Sequence, residues 1–277
     1  MRIRSLSQVA TVAFACTLTM GIAVADDDSN GNSNDCKSLP NQSALKAALI
    51  AATTAETSGL NNHMWATIVD RTGVVCAVAY SGSSRGAQWL GSRIISAQKA
   101  NTANAFSLDS SSNGGGSGQP NGLSLSTANL YSAVQPGGSL FGLQASNPVD
   151  TGVAYKGPTS QFGTANDPMQ GSRIGGVNVF GGGLGLYGPG KLLLGAVGVS
   201  GDTSCADHNI AWRVRKNLAL DHLEGVGGVS GDPMRPDNII FDIVPNPMGG
   251  TGNSAGGFGH PTCINTNGSA SLPPVQP

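Results

Sequence analysis

The chain has 277 residues, enough for one large domain or two small ones, and 15 basic and 16 acidic residues leave a net charge of −1. This balance excludes the strongly basic surface typical of nucleic-acid-binding domains, so we expect no nucleic-acid partner. Glycine contributes 41 residues and charged residues make up 11% of the chain, which favours many loops and tight turns.

The first 25 residues have the pattern of a secretory signal peptide. Arg2 and Arg4 precede a mostly apolar run, which ends in an A-x-A cleavage motif at 23–25. Threonines interrupt the run and aspartates follow it, and no later segment is long and apolar enough to span a bilayer. We therefore predict export to the periplasm or the extracellular space. Four cysteines remain after processing, and in an exported chain they predict two disulfides: Cys36, Cys76, Cys205 and Cys263.

The first half of the remaining chain contains predicted helices and a hairpin. A polar leader at 26–37 should be disordered. Apolar residues at intervals of three and four then predict a helix that starts near Ser38. Strands are predicted at 65–70 and 74–80, and they are close enough to form a hairpin. A second helix is predicted at about 85–106.

Loops and a second group of strands follow. A Ser/Gly/Asn linker at 107–122 should be disordered and removable. A short helix is predicted at 124–134, and long Gly-rich loops at 135–176 include an insertion near 144–170. Short strands are predicted at 177–180 and 184–187.

The last predicted strand is the most apolar segment of the mature chain. Residues 192–199 are apolar throughout, which indicates a central strand buried on both faces. A helix should begin at Ser204, and a Gly/Pro-rich extension occupies 224–277. The order predicts an α+β domain at 38–223, with an antiparallel sheet of about five strands, helices packed on it and long Gly-rich loop insertions.

The sequence resembles the GlcG/HbpS-like family, several members of which bind haem. The resemblance covers about residues 39–222. Four segments carry it: the Leu/Ala-rich helix at 39–55, the hairpin at 66–75, Lys99-Ala100-Asn101-Thr102-Ala103, and Gly175-Gly176-Val177 followed by Leu-Gly-Ala-Val-Gly-Val-Ser-Gly at 194–201. The resemblance implies an α+β fold, haem as a cofactor and a homo-oligomer.

The family's sheet order places the first strand antiparallel to the last strand. It therefore implies that His63 and Met64 lie near Gly201 and the start of the last helix. Imidazole and thioether are suitable axial ligands for haem iron, and we predict His63 and His208 as metal ligands. The alternative is that His63 and Met64 are a turn residue and a core residue. Helical geometry directs Asp207 towards the sheet and His208 outwards or to a subunit boundary.

A small-molecule ligand could bind at the same end. Backbone N–H groups of glycines near a helix start favour an anion such as a haem propionate or a small carboxylate, and Lys99 could pair with that carboxylate. The predicted ligand-binding residues are Lys99, Gly175, Gly176, Ser200, Gly201 and Asp207. The alternatives are turn geometry for the glycines, N-terminal capping for Asp207, and solvent exposure for Lys99 and His208.

The implied sheet order also restricts the disulfides. It places Cys36 and Cys76 at one end of the sheet and Cys205 at the other. A strand of six or seven residues spans roughly 20 Å, whereas bridged Cα atoms lie within about 7 Å of each other. We therefore predict the pairs Cys36–Cys76 and Cys205–Cys263.

Three functions remain open. The first is an exported haem-binding protein, either a haem carrier or a redox sensor. The second is an enzyme that acts on a small organic acid in the same pocket, with Asp207 or His208 as the proton shuttle. The third is a non-catalytic partner-binding module. Because the chain has no H-E-x-x-H or P-loop motif, we assign no catalytic residue.

Overall fold

The structure is a computed structural model that describes residues 34–112, 120–250, 252–265 and 268–277. The predicted signal peptide, the predicted leader up to residue 33 and residues 113–119 of the predicted linker lie outside the described residues. Within the described ranges, no helix has both the length and the apolar character needed to cross a bilayer.

A four-stranded antiparallel sheet forms the centre of the fold, in the order β2-β1-β4-β3. Its strands are β1 (Trp65–Asp70), β2 (Val75–Tyr80), β3 (Gly183–Gly188) and β4 (Leu192–Ser200). Strand β1 pairs with β4 along its whole length, and Trp65 lies opposite Ser200. The predicted α+β class is confirmed, and so is the pairing of the first strand with the last.

Helices cover both faces of the sheet. On one face, α1 (Gln42–Ala55) and α5 (Ser204–Asn217) pack against each other and share a core with Ile68 and Val197. On the other face, α2 (Ser92–Phe106) packs on β1 and β4. Among the described residues, the smaller elements are α3 (Leu143–Ser146), α4 (Thr151–Ala154) and the two-stranded ribbon of β5 (Ile243–Val244) and β6 (Asn253–Ser254). The described ranges also contain 3-10 helices at Asn34–Ser38, Ser110–Ser112, Thr127–Leu130, Ser132–Val134, Thr159–Gln161, Pro189–Lys191 and Ser269–Ser271.

Glycines in β3 and β4 let α2 lie directly on the sheet. A Cβ atom at Gly198 would lie 1.9 Å from the carbonyl oxygen of Ser96. A Cβ atom at Gly183 would lie 2.5 Å from the carbonyl oxygen of Lys99. Since real atoms do not approach so closely, Gly183 and Gly198 have a packing role in this fold.

Two predicted elements differ from the observed ones. The predicted strand at 177–180 is absent, because the N–H groups of Val177 and Asn178 bond to the Asn147 carbonyl and the Thr102 hydroxyl instead of a neighbouring strand. The sheet therefore has four strands. The second helix begins at Ser92 instead of residue 85, because the Gln88 side chain bonds backbone groups of residues 82 and 84 and holds a loop there.

Three segments predicted as disordered or helical are also corrected. The end of the leader forms the 3-10 helix Asn34–Ser38, which a disulfide joins to β2. In the predicted linker, Leu108 and Leu123 exchange two backbone hydrogen bonds of 2.7 and 3.0 Å. The predicted helix at 124–134 forms two 3-10 helices. Long-range partners hold the described ends of the leader and of the linker, and local periodicity does not reveal such partners.

Both predicted disulfides are confirmed. The Cα atoms are 5.4 Å apart in Cys36–Cys76 and 6.0 Å apart in Cys205–Cys263. The second bridge ties the C-terminal extension to the start of α5. Further along α5, the Arg215 guanidinium forms two hydrogen bonds of 2.6 and 2.9 Å with the Asp237 carboxylate. The extension is therefore packed on the domain along one side of this helix.

Candidate functional site

The structure brings Lys99 and Asp207 together between α2 and the first turn of α5. The Lys99 ammonium lies 2.6 Å from Asp207 Oδ2 and donates a second hydrogen bond of 3.0 Å to the Val199 carbonyl. The two side chains are 0% and 3% exposed. Solvent exposure of Lys99 was therefore the wrong alternative, because the close packing of α2 on β4 directs this side chain inside. The carboxylate that it contacts belongs to the protein itself.

Burial controls the charges of this pair. Desolvation raises the pKa of Asp207 to about 6, against the opposing effect of the nearby ammonium. Desolvation also lowers the pKa of Lys99. Asp207 Oδ1 accepts the backbone N–H of Asp202 at 2.9 Å, so both carboxylate oxygens are used within the protein. Through these contacts Lys99 of α2 joins Asp207 of α5 and Val199 of β4.

Asp202 positions the loop that leads to His63. Its carboxylate accepts the backbone N–H groups of Leu60 at 2.8 Å and of Asn62 at 2.9 Å. The Asn62 side chain in turn donates to the Gly201 carbonyl at 3.0 Å. Sequence analysis missed Asp202, because its partners Leu60 and Asn62 lie 142 and 140 residues earlier in the chain and no local pattern reveals them. The end of β4 thus fixes the start of β1.

His63 is exposed at this end of the sheet. It lines an open cavity of about 390 Å³ between the C-terminal half of α1 and the end of β2. Its Nδ1 atom lies 3.5 Å from Ser81 Oγ, and its backbone forms an isolated parallel bridge with Gln88. Met64 is fully buried, and its sulfur lies 3.0 Å from the position of a Cβ on Gly201, so Met64 is a core residue.

The loop after β2 passes beside His63 and presents exposed apolar and basic side chains. A Cβ atom on Gly82 would lie 3.2 Å from the His63 ring, so the loop begins in contact with the imidazole. Farther along the same loop, Trp89 is 53% and Leu90 is 66% exposed. Arg85 is exposed as well. This loop therefore offers two large apolar side chains and a guanidinium, and Leu90 and Arg85 line a second cavity, separate from the one that His63 lines.

His208 lies inside the protein, so the prediction that it points outwards is wrong. It is 0% exposed, and its Nε2 atom lies 3.1 Å from Asn238 Oδ1 and 3.2 Å from the Ile239 nitrogen. The C-terminal extension covers the side of α5 that a two-layer domain would leave in solvent. Burial lowers the pKa of His208 to about 4, so the imidazole is neutral at pH 7. Among the described contacts, none joins His208 to His63.

The other predicted ligand residues are divided between two places. Ser200 and Gly201 lie at the end of β4, where Ser200 Oγ is 3.3 Å from Ser92 Oγ. Gly175 and Gly176 have φ angles of 60° and 80° in the loop that crosses α2, where the Gly176 carbonyl accepts the Asn101 side chain at 2.8 Å. The predicted part of these residues in ligand binding stays a prediction.

The fold and the site define a class of protein: an antiparallel four-stranded sheet between helical layers, with an accessible histidine where the first strand begins. The chain belongs to the HbpS-like family, because the model of that family, described as haem degrading protein HbpS-like, matches residues 39–215. The resemblance inferred from the sequence is therefore confirmed.

Several solved structures are similar to the chain. Protein ORFY of Klebsiella pneumoniae has 24% identity over 65% of this chain and 90% of its own, with a TM-score of 0.41. A PduOC:heme complex has 21% identity over 64% and 90%, with a TM-score of 0.40. A double mutant of Streptomyces reticuli HbpS has 14% identity over 78% and 99%, with a TM-score of 0.33. No curated protein matches the chain.

Proposed function

We propose that this chain is an exported haem-binding protein in which His63 is an axial ligand of the iron. The observation that carries the proposal is the exposed imidazole of His63, held in place beside an exposed apolar loop. The family's description, which names haem, supports this choice of ligand. The two disulfides and the N-terminal signal pattern support export to an oxidising compartment.

The residues around His63 suit the chemistry of haem. Imidazole is a common axial ligand of haem iron. The contact of Nδ1 with Ser81 leads us to assign Nε2 as the iron ligand. Trp89 and Leu90 would cover part of the porphyrin, which would remove their apolar surface from water. Arg85 would pair with a propionate.

The buried residues of this end have a supporting role in the proposal. Asp202 fixes the loop before His63. The Lys99–Asp207 pair fixes the first turn of α5, which begins two residues after Asp202. His208 was predicted as the second ligand, but its complete burial argues against direct contact with haem. A carrier role, a redox-sensor role and a homo-oligomer are compatible with haem binding and stay part of the proposal.

Haemin titration of the purified chain tests the proposal. We expect a saturable Soret band at micromolar haemin. The variant H63A should weaken binding by about tenfold or more, since loss of the axial ligand removes the iron–nitrogen bond. The matched control is H222A, because His222 is also partly exposed but contacts the C-terminal carbonyl. Absence of saturation would refute haem binding, whereas equal binding by H63A would refute only the ligand assignment.

The two alternatives have less support. The enzyme hypothesis used Asp207 or His208 as a proton shuttle, and both side chains are buried among protein partners. The partner-binding hypothesis assigned the partner contacts to the long Gly-rich loops, whereas Asp237 and Cys263 of the extension are bonded to α5. We therefore put forward no second function.

A further inference from the structure

Cys205, His260 and Cys263 form a cluster where the C-terminal extension crosses the start of α5. The two sulfurs and one imidazole nitrogen all lie within 4.8 Å of one another. Cys205 and His260 are buried and Cys263 is half-buried. The two cysteines form the disulfide that holds the extension. Two sulfurs and an imidazole are a ligand set that Zn²⁺ prefers in proteins.

Two contacts of the His260 imidazole define which of its ring nitrogens carries the hydrogen. Its Nδ1 atom lies 2.7 Å from the Pro261 carbonyl oxygen, and its Nε2 atom lies 2.7 Å from Ser204 Oγ. A carbonyl oxygen only accepts hydrogen bonds, so Nδ1 carries the hydrogen and Nε2 has the free lone pair. Histidines that bind metals commonly donate the other ring N–H to a carbonyl or carboxylate in this way.

The surroundings of the sulfurs favour negative charge. The backbone N–H of Cys205 points at Cys263 Sγ, and the two atoms are 3.2 Å apart. This N–H belongs to the first turn of α5, whose N-terminus carries a partial positive charge. Thiolates are the form of cysteine that binds metals. The cluster thus combines an imidazole of defined tautomer with two nearby sulfurs in an environment that suits thiolates.

We propose that reduction of the Cys205–Cys263 disulfide creates a Zn²⁺ site formed by the two thiolates and His260 Nε2. A dithiol reductant supplies two electrons and becomes a disulfide, while the S–S bond of the protein breaks and gives two thiols. Zn²⁺ then displaces the two thiol protons to solvent. Ser204 Oγ releases Nε2 to the metal, and a water completes the four ligands. In the oxidised chain the sulfurs are bonded to each other, so the site exists only after reduction.

The site would preserve the connection between the extension and α5. In the oxidised chain that connection is the covalent bond between Cys205 and Cys263. After reduction and metal binding, the ion would connect the same two segments through three bonds. The extension would stay in place in both states, and only the reduced state without metal would lose this connection.

The other disulfide provides an internal comparison. Cys36 Sγ lies 4.0 Å from Asp70 Oδ2, so the neighbouring group is a carboxylate instead of an imidazole. Asp70 Oδ1 already accepts the N–H of Thr72, the hydroxyl of Thr72 and the N–H of Val74. A negatively charged neighbour disfavours a thiolate. We therefore assign the Zn²⁺ site to the Cys205 pair.

The test uses the full purified chain and a C36S/C76S variant, in which Cys205 and Cys263 are the remaining pair of the exported protein. Each is reduced with a phosphine, desalted without oxygen and titrated with Zn²⁺ against a chromophoric indicator. We expect one Zn²⁺ per reduced chain and none per oxidised chain. Co²⁺ in place of Zn²⁺ should give the absorption of thiolate-to-metal charge transfer. The substitution H260A should weaken Zn²⁺ binding by about tenfold or more, whereas the control H222A should leave it unchanged.

The outcomes that overturn the proposal are distinct. A folded, reduced C36S/C76S variant that binds no Zn²⁺ refutes the site. Zn²⁺ binding of equal strength by reduced H260A refutes the assignment of the imidazole. If the C36S/C76S variant does not fold, the comparison of the reduced wild-type chain with reduced H260A decides the question. Far-UV circular dichroism of each reduced sample provides the check on folding.

Discussion

Replacement of Lys99 by methionine would test how strongly the buried pair stabilises the fold. The ammonium and the Asp207 carboxylate are 2.6 Å apart, and their side chains are 0% and 3% exposed. Methionine keeps much of the side-chain volume but removes the charge, which leaves the carboxylate buried beside the Val199 carbonyl. Removal of one partner of a buried ion pair costs about 3–5 kcal/mol, because the other charge has no compensation. We expect K99M to lower the free energy of unfolding by this amount at pH 7.

The loss of stability in K99M should depend on pH, because the Asp207 carboxylate can take up a proton. Burial raises its pKa in the folded chain to about 6, above the ordinary value of 3.8. The folded state therefore binds this proton more tightly than the unfolded state does. The resulting stability is fully present below about pH 3.8 and is lost as the pH rises through about 6. Without the Lys99 ammonium the pKa rises further, so K99M should be less destabilised at pH 5 than at pH 7.

Urea unfolding at pH 5 and pH 7 measures both effects, and thermal unfolding should show a melting temperature lower by about 6–20 °C at pH 7. The matched control is K156M, since Lys156 is exposed and its replacement should change the stability by about 0.5 kcal/mol or less. The double variant K99M/D207L should be more stable than the sum of its single variants predicts, because no buried charge is left. A loss below about 1 kcal/mol for K99M at pH 7, or equal losses at both pH values, would refute the reasoning.

Two further substitutions test the packing of the helices. G198A should lower the free energy of unfolding by about 1–3 kcal/mol or more, because the new Cβ atom would lie 1.9 Å from the Ser96 carbonyl oxygen. Thermal unfolding measures this loss. The control G86A should be nearly neutral, because a Cβ atom at Gly86 meets no neighbour within 4 Å. R215M should cost about 3–5 kcal/mol, because it leaves the Asp237 carboxylate buried without its partner. Limited proteolysis with mass spectrometry should then show faster cleavage in the C-terminal extension, and unchanged cleavage would contradict the proposed anchoring.

The strands of the sheet could be predicted from the sequence. The predicted segment at 65–70 coincides with β1, and 192–199 differs from β4 by one residue. These strands are short apolar runs with turn residues on both sides, so the local pattern contains the necessary information. The disulfide pairing followed from the strand order, because the ends of the sheet are too far apart for the other connections.

The parts that could not be predicted depend on long-range contacts. The burial of Lys99 follows from the close approach of α2 to β4, which requires the sheet to be known. The burial of His208 follows from the position of the extension on α5. Helical geometry placed His208 outwards or at a subunit boundary, because it assumed that solvent covers that side of α5. No local pattern shows that Asn238, 30 residues further along the chain, covers this side of α5.

Buried ion pairs explain how a chain with few charges holds its insertions in place. Among the described residues, Arg93 in α2 pairs with Asp167 in the inserted loop, and Arg215 in α5 pairs with Asp237 in the extension. A buried pair is costly when one partner is missing, so each pair favours one position of its segment on the helix. These segments then cover parts of α2 and α5. The imidazole of His63 stays exposed beside an open cavity, which is why we propose the ligand site there.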